Sequence, residues 1–294
     1  MVPTPTCRLA EPKGRPNAMT LSMTIGLLLA FALIAYMVFE ARTRLEVVER
    51  TLHFDRLPPA FDGFRIVMVS DFHAPRFRRW DRRVIDAIGR IDADLLVIGG
   101  DLKARNYTPN RPIVEILDAL IEATRRYPFR PVYVRGNHDR RGFSAICNRR
   151  RDLHALRDRH IALQRNGQRI VVAGVRHSGR VTRRMRSSVR KALRGVDPND
   201  FLIFIAHSPD YFRMAAQRGA DLVLSGDTHG GQIRLPILGP LLMSKCKLGG
   251  EFDMGHVERF GSQLYVTRGV GSTGPPFRLL CRPEISVLTL KRKN

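Results

Sequence analysis

Five short polar motifs in this 294-residue chain gather the residue types that hold cations and move protons. In order they are Ser70-Asp71-Phe72-His73, Gly99-Gly100-Asp101, Gly136-Asn137-His138-Asp139, His207-Ser208-Pro209-Asp210 and Gly226-Asp227-Thr228-His229-Gly230-Gly231-Gln232. Imidazoles, carboxylates and an amide are the donors that two adjacent divalent cations require, and such a pair serves hydrolysis by activating water. No motif says this alone. A D-x-H triplet is common by chance, Gly-Asp after a strand is usually a turn, and Gly-Asn-His-Asp also fits an ordinary loop. The signal is their order, each placed directly after an apolar run.

Those apolar runs are the elements that must position the motifs. Ile66–Val69, Leu95–Ile98, Val132–Val134, Phe201–Ile205 and Leu222–Leu224 read as buried strands. They deliver Asp, Asn or His to one edge of a sheet, where sites in α/β folds are built. Gly100, Gly136 and Gly226 are expected to let the backbone turn sharply and keep a ligand close. Helical patterns cover Arg82–Ile91, with Val84, Ile85 and Ile88 on one face, and Ile113–Arg125. Leu45–Phe54 reads as a strand stopped by Leu57-Pro58-Pro59, and Leu264–Val266 and Ile285–Leu290 read as later strands. Asn166-Gly167 is a two-residue hairpin turn between apolar segments. Early strand–helix alternation and late turn-linked strands predict an α/β domain with a mixed sheet, or two packed sheets, and helices outside.

Hydrophobic residues at 44% and charged residues at 26% exclude a disordered or low-complexity chain. The 50 Lys and Arg against 27 Asp and Glu give +23, and only 7 of the 50 are lysine. An arginine-rich surface seeks phosphates, whether on a substrate, an anionic lipid headgroup or a nucleic acid. Cys7, Cys147, Cys246 and Cys281 form no C-x-x-C pair and read as free thiols. From Pro16 to Phe39 there are 24 residues without a charge, long enough to cross a bilayer. A cleaved signal peptide is the competing reading, but Tyr36-Met37-Val38-Phe39-Glu40 offers no small-x-small site. Orientation is nearly tied, with Arg8, Lys13 and Arg15 before the span and Arg42, Arg44 and Arg50 after it. The expected organisation is a basic tail over 1–18, an anchor over 19–39, a linker and first strand over 40–62, and one α/β domain over 63–290.

Taken together the motifs resemble the calcineurin-like metallophosphoesterase superfamily, whose pattern is D-x-H, G-D, G-N-H-D, a lone His, then G-H-x-H. The resemblance covers roughly residues 62–290. Within the superfamily the chain is similar to a bacterial membrane-associated branch carrying H-G-G-Q-I, here His229-Gly230-Gly231-Gln232-Ile233, then the apolar Leu235-Pro236-Ile237-Leu238-Gly239-Pro240. The resemblance implies a four-layer αββα sandwich of two mixed sheets. It implies Asp71, His73 and His229 on one metal, Asp101 bridging, and Asn137, His207 and Asp227 on the second. His138 matches the residue beside the scissile phosphate, and Arg76, Arg140 and Arg141 are candidate substrate contacts. The chain departs from the pattern at Asp227, where the family carries histidine. An aspartate there makes three carboxylates with Asp71 and Asp101, which favours Mn²⁺ or Mg²⁺ over Zn²⁺, iron remaining open. A side chain too short to reach would leave the second metal weak.

The resemblance thus implies hydrolysis of a phosphoester or pyrophosphate bond. An anchor, arginines through residues 140–194 and an apolar segment Ile237–Met243 ending in Ser244-Lys245-Cys246-Lys247 point to an amphiphilic phosphorylated substrate at a membrane. UDP-2,3-diacylglucosamine is the specific expectation, with the domain on the cytoplasmic face of the inner membrane; the alternative for the apolar segment is a hairpin buried in the core. Rival functions are a non-catalytic arginine-rich membrane or nucleic-acid binding protein on a degenerate scaffold, and a nuclease. The membrane span argues against nucleic acid, and metal-dependent turnover discriminates among them. Oligomeric state is left open.

Overall fold

The apolar runs between the polar motifs become the strands of two sheets. A computed structural model describes residues 18–140, 142–179, 182–241 and 250–293. The N-terminal basic residues, Arg141 and Ser244–Lys247 lie outside the described residues. The elements are α1 (Ala18–Thr43), β1 (Glu46–Phe54), β2 (Phe64–Val69), α2 (Arg79–Arg90), β3 (Leu95–Ile98), α3 (Arg111–Ala123), β4 (Val132–Val134), α4 (Phe143–Arg149), β5 (His154–Leu156), β6 (Arg159–Arg165) and β7 (Gln168–Val175). After these come α5 (Thr182–Ala192), β8 (Phe201–Ala206), α6 (Phe212–Ala216), β9 (Leu222–Ser225), β10 (Arg234–Leu235), β11 (Gly239–Pro240), β12 (Gly255–Arg259), β13 (Ser262–Val266) and β14 (Glu284–Arg292).

One six-stranded sheet has the order β1-β14-β2-β3-β4-β5 and the other β12-β13-β9-β8-β7-β6. Both are mixed: β2, β3, β4 and β5 run parallel while β14 is antiparallel to β2. In the second sheet β13, β9, β8 and β7 are parallel and β12 and β6 antiparallel. Period-2 side-chain alternation builds three apolar layers. Ile66, Met68, Leu95 and Val97 face Ile170, Val172, Ile203 and Leu224 between the sheets. Their neighbours Val67, Val69, Leu96 and Ile98 pack outward on Val84, Ile88, Ile113 and Leu117 of α2 and α3. On the far side Val171, Ala173, Leu202 and Phe204 meet Met185 and Val189 of α5 and Phe212 of α6. The result is the four-layer αββα sandwich expected.

The left-handed φ angles at Asn166 (49°) and Gly167 (75°) fit the predicted hairpin between β6 and β7. Helix α2 starts at Arg79, before the predicted Arg82, because the Asp81 carboxylate accepts from Arg78 N at 2.8 Å and closes its first turn. Strand β1 pairs in parallel with β14 from Glu46↔Glu284 to Phe54↔Arg292, so residues read as preceding the domain are an edge strand of its first sheet.

Helix α1 is long and apolar enough to cross a membrane. It continues beyond Phe39 to Thr43. Met37 O accepts from Arg278 N at 3.1 Å, and the buried Glu40 carboxylate accepts from Cys281 N at 3.1 Å. The compact unit accordingly runs from Met37 to Asn294.

Candidate metal centre

Strands β2, β3 and β4 of one sheet and β8 and β9 of the other all lead into motif residues at their C-terminal ends. The backbone there is strained. Asp71 (φ 59°), His73 (42°), Asp101 (52°), Asp227 (70°) and His229 (53°) are all left-handed, a conformation costing about 1–3 kcal/mol for a non-glycine residue. Main-chain hydrogen bonds hold it. Asp71 N donates to Gly100 O at 2.9 Å, His73 N to Asp101 O at 3.0 Å, and Gly226 N to His207 O at 2.9 Å. Of the three glycines expected to supply turns, only Gly100 has a positive φ, 103°. Gly136 and Gly226 supply room instead: an added Cβ would lie 2.0 Å from Asp101 Oδ1 and 2.5 Å from Asp71 Oδ2 respectively.

The side chains converge in overlapping clusters: Asp71, His73 and His229; His73, Asp101 and His138; and Asp71, Asp101 and His207. In the first, Asp71 Oδ1 lies 3.7 Å from His73 Nε2 and 3.6 Å from His229 Nε2, and the two imidazole nitrogens are 3.1 Å apart. Around His207, Nε2 lies 3.3 Å from Asp101 Oδ2, 3.9 Å from Asp71 Oδ1 and 3.6 Å from Asp227 Oδ1. Asp71 Oδ1 and His207 Nε2 are buried without hydrogen-bond partners. Groups bound to a common cation at about 2.0–2.2 Å stand about 3–4 Å from one another. The donor set therefore fits divalent cations, and two unpartnered buried atoms face the space such ions would fill.

Electrostatics agree. Burial alone would push the Asp71 and Asp101 carboxyls up; attraction to His229, His73 and His207 outweighs it, holding Asp71 well below the carboxylate range and Asp101 at about 2. Burial raises Asp227, with repulsion from Asp71 and Asp101 added and His207 opposing. His207 is driven above its ordinary value by Asp101, Asp71 and Asp227 despite burial, while burial brings His229 down to about 3. Asp71 and Asp101 are thus held ionised beside imidazoles, the charge state in which a carboxylate ligates a cation.

The remaining predicted residues occupy different places. His138 N donates to Asp101 Oδ1 at 2.8 Å, and the His138 ring stands edge-on to His73 at 4.9 Å. Asn137 lies in the same loop, half-buried. His138, His73 and the exposed Arg76 line a cavity of about 790 Å³. Arg140 does not join them; it lines a separate cavity with Arg135 and His177. Ile237 and Leu238 at the β10–β11 tip are exposed, at 107% and 78%, so this tip is no buried hairpin.

Sequence reasoning missed two supporting residues. His177, two positions past β7, meets His207 edge-on at 5.8 Å; the strand-end rule that found the others applied to it. Arg278 is fully buried and donates to the carbonyls of Arg268, Gly269, Gly271 and Cys281. That loop backs the site, with Gly269 and Gly271 packed against Asp71 and Phe72. Nothing marks Arg278 among so many arginines.

Imidazole–carboxylate clusters at the C-terminal edges of a double sheet fit a hydrolytic metal centre, and comparison with known proteins gives the class, a metal-dependent phosphoester hydrolase. The calcineurin-like phosphoesterase profile matches residues 64–231, over half the chain, which therefore belongs to that family. The chain is similar to the uncharacterized metallophosphoesterase YkuE of Bacillus subtilis, at 28% identity over 85% of this chain and 87% of that protein. Its likeness to the phosphodiesterase YaeI of Escherichia coli is 28% over 77% and 82% of the respective chains. A transmembrane protein with metallophosphoesterase domain from Danio rerio is 28% identical over 91% of this chain, which spans 62% of that relative.

Proposed function

We propose that the chain is a membrane-anchored hydrolase of a lipid-linked phosphorylated substrate, with Asp71, His73 and His229 holding one cation, Asn137, His207 and Asp227 another, and Asp101 shared. The cavity over His73 and His138 carries this reading. It is also lined by Ala41 and Arg42, which closely follow the apolar run of α1, and by Arg76, Arg79, Arg83 and Arg105. A substrate held in the bilayer by acyl chains and presenting phosphate to arginines suits such a cleft. The exposed Ile237, Leu238, Leu241 and Leu280 add apolar surface for a membrane. Nucleic acid suits it less, because the chain's apolar helix ties it to a bilayer.

Divalent cations, when bound, supply positive charge that draws phosphate oxygens and acidifies a water. Three carboxylates beside three imidazoles shift the preference toward manganese or magnesium. Burial and His73 hold His138 below its ordinary value against the pull of Asp101, leaving a neutral imidazole facing the cleft. A neutral imidazole donates a hydrogen bond to a departing oxygen through its protonated nitrogen. Arg76, exposed at the rim, steadies a phosphate oxygen.

The test compares UDP-2,3-diacylglucosamine in mixed micelles with the same sugar nucleotide lacking acyl chains, using the full chain with Mn²⁺. A preference of at least about 10-fold in kcat/KM for the acylated form is expected, since burying even a few methylenes supplies that much. Equal turnover of both would overturn the lipid-linked reading and leave the hydrolase itself intact.

A further inference from the structure

We propose that the cavity of about 380 Å³ formed by Arg135, Arg140, Arg176, Arg184 and Lys191 is a second anion site, one that binds a phosphate group beside the metal centre. Five cations share this cavity with a single carboxylate, Asp158. Asp158 is already engaged, its Oδ2 3.1 Å from Arg176 Nε. Among the described residues Arg140, Arg184 and Lys191 make no ion pair. The Arg135 guanidinium donates one bond, Nη2 to His177 O at 2.7 Å, and leaves Nε buried without a partner. Cations concentrated with their counter-charges missing are what an oxyanion would satisfy.

The fold builds this arrangement from several elements. Arg135 directly follows β4 and Arg176 directly follows β7, both at the sheet edge that carries the metal centre. Arg184 and Lys191, seven residues apart, share a face of α5. His177 N donates to Arg135 O at 2.9 Å, tying the two strand ends together. The His177 ring then separates the cavity from His207. Arg140 belongs to the same loop as Asn137 and His138, so one loop serves both sites. The volume lies at the small end for ligand pockets and the lining is charged, which suits phosphate or diphosphate and not an acyl chain.

Two sources supply that chemistry: a second phosphate of the substrate, or free inorganic phosphate. Assigning it to the substrate rests on the hydrolase reading above; the anion site itself does not. The experiment uses the full chain in non-ionic detergent, stripped of metal by chelation, and titrates inorganic pyrophosphate by calorimetry. An Arg184→Ala/Lys191→Ala double variant is expected to bind at least 10-fold more weakly. An Arg111→Ala/Arg125→Ala variant, removing the same charge from exposed positions on and just beyond α3, is expected to bind within 2-fold of the unaltered chain. No binding by the unaltered chain, or equal weakening in both variants, would overturn the site. With metal restored, a rise in KM at least 10-fold larger for a nucleoside diphosphate ester than for bis-p-nitrophenyl phosphate assigns the group to the substrate. Relief of product inhibition by inorganic phosphate, without that difference, assigns it to free phosphate.

Discussion

Replacing Asp227 with histidine separates two accounts of the second metal. Asp227 Oδ1 stands 3.6 Å from the unpartnered His207 Nε2. The expected outcome is an unaltered chain active with Mn²⁺ or Mg²⁺. In Asp227→His the ratio of Zn²⁺- to Mn²⁺-supported rates should rise several-fold, because an oxygen donor is exchanged for nitrogen. An unaltered chain inactive with every metal, beside an active variant, would show a broken site. At this scale the sequence was informative, since Asp, His and Asn declare their chemistry by type. It was silent on conformation. Nothing local distinguishes Asp71 or His73 as left-handed; that backbone is held by hydrogen bonds to Gly100 O and Asp101 O, from a segment distant in sequence.

Strand cores were legible because continuous apolar runs have few other uses, and Val132–Val134 was placed to the residue. Element ends and partners were less so. The parallel pairing of β1 with β14 joins segments more than two hundred residues apart, and no periodicity reports it. His177, at the end of β7, gives a test at the scale of the element. Burial first, then His207, Arg140 and Arg135, bring its pKa to about 4, with Asp101 opposing. An unfolded histidine near 6.5 takes up its proton earlier, so this stability is present above pH 6.5 and is lost as pH falls toward 4. In chelator, the melting-temperature difference between the unaltered chain and His177→Gln should therefore narrow from pH 7 to pH 5. Parallel melting profiles would contradict the neutral, buried histidine.

Over the whole molecule, the charge of +23 suits phosphate-bearing partners, and one N-terminal helix is long and apolar enough to cross a membrane. The boundary between helix and globular unit is itself testable. Removing residues 1–36 keeps the Met37 and Glu40 bonds to Arg278 and Cys281, whereas removing 1–43 loses both. The shorter fragment should melt about 5 °C or more below the longer one; equal melting temperatures would show that the helix end contributes nothing. The central claim is metal-dependent phosphoester hydrolysis at the Asp71–His229 centre. Its most direct test is release of p-nitrophenol from bis-p-nitrophenyl phosphate by the full chain, stripped of metal and then given Mn²⁺, Mg²⁺ or Zn²⁺, alongside Asp101→Asn. Activity should be absent without metal, return with a divalent cation, and fall more than about 100-fold in the variant, beyond the loss for residues that only support a ligand. Turnover that survives chelation, or that Asp101→Asn leaves unchanged, would contradict it.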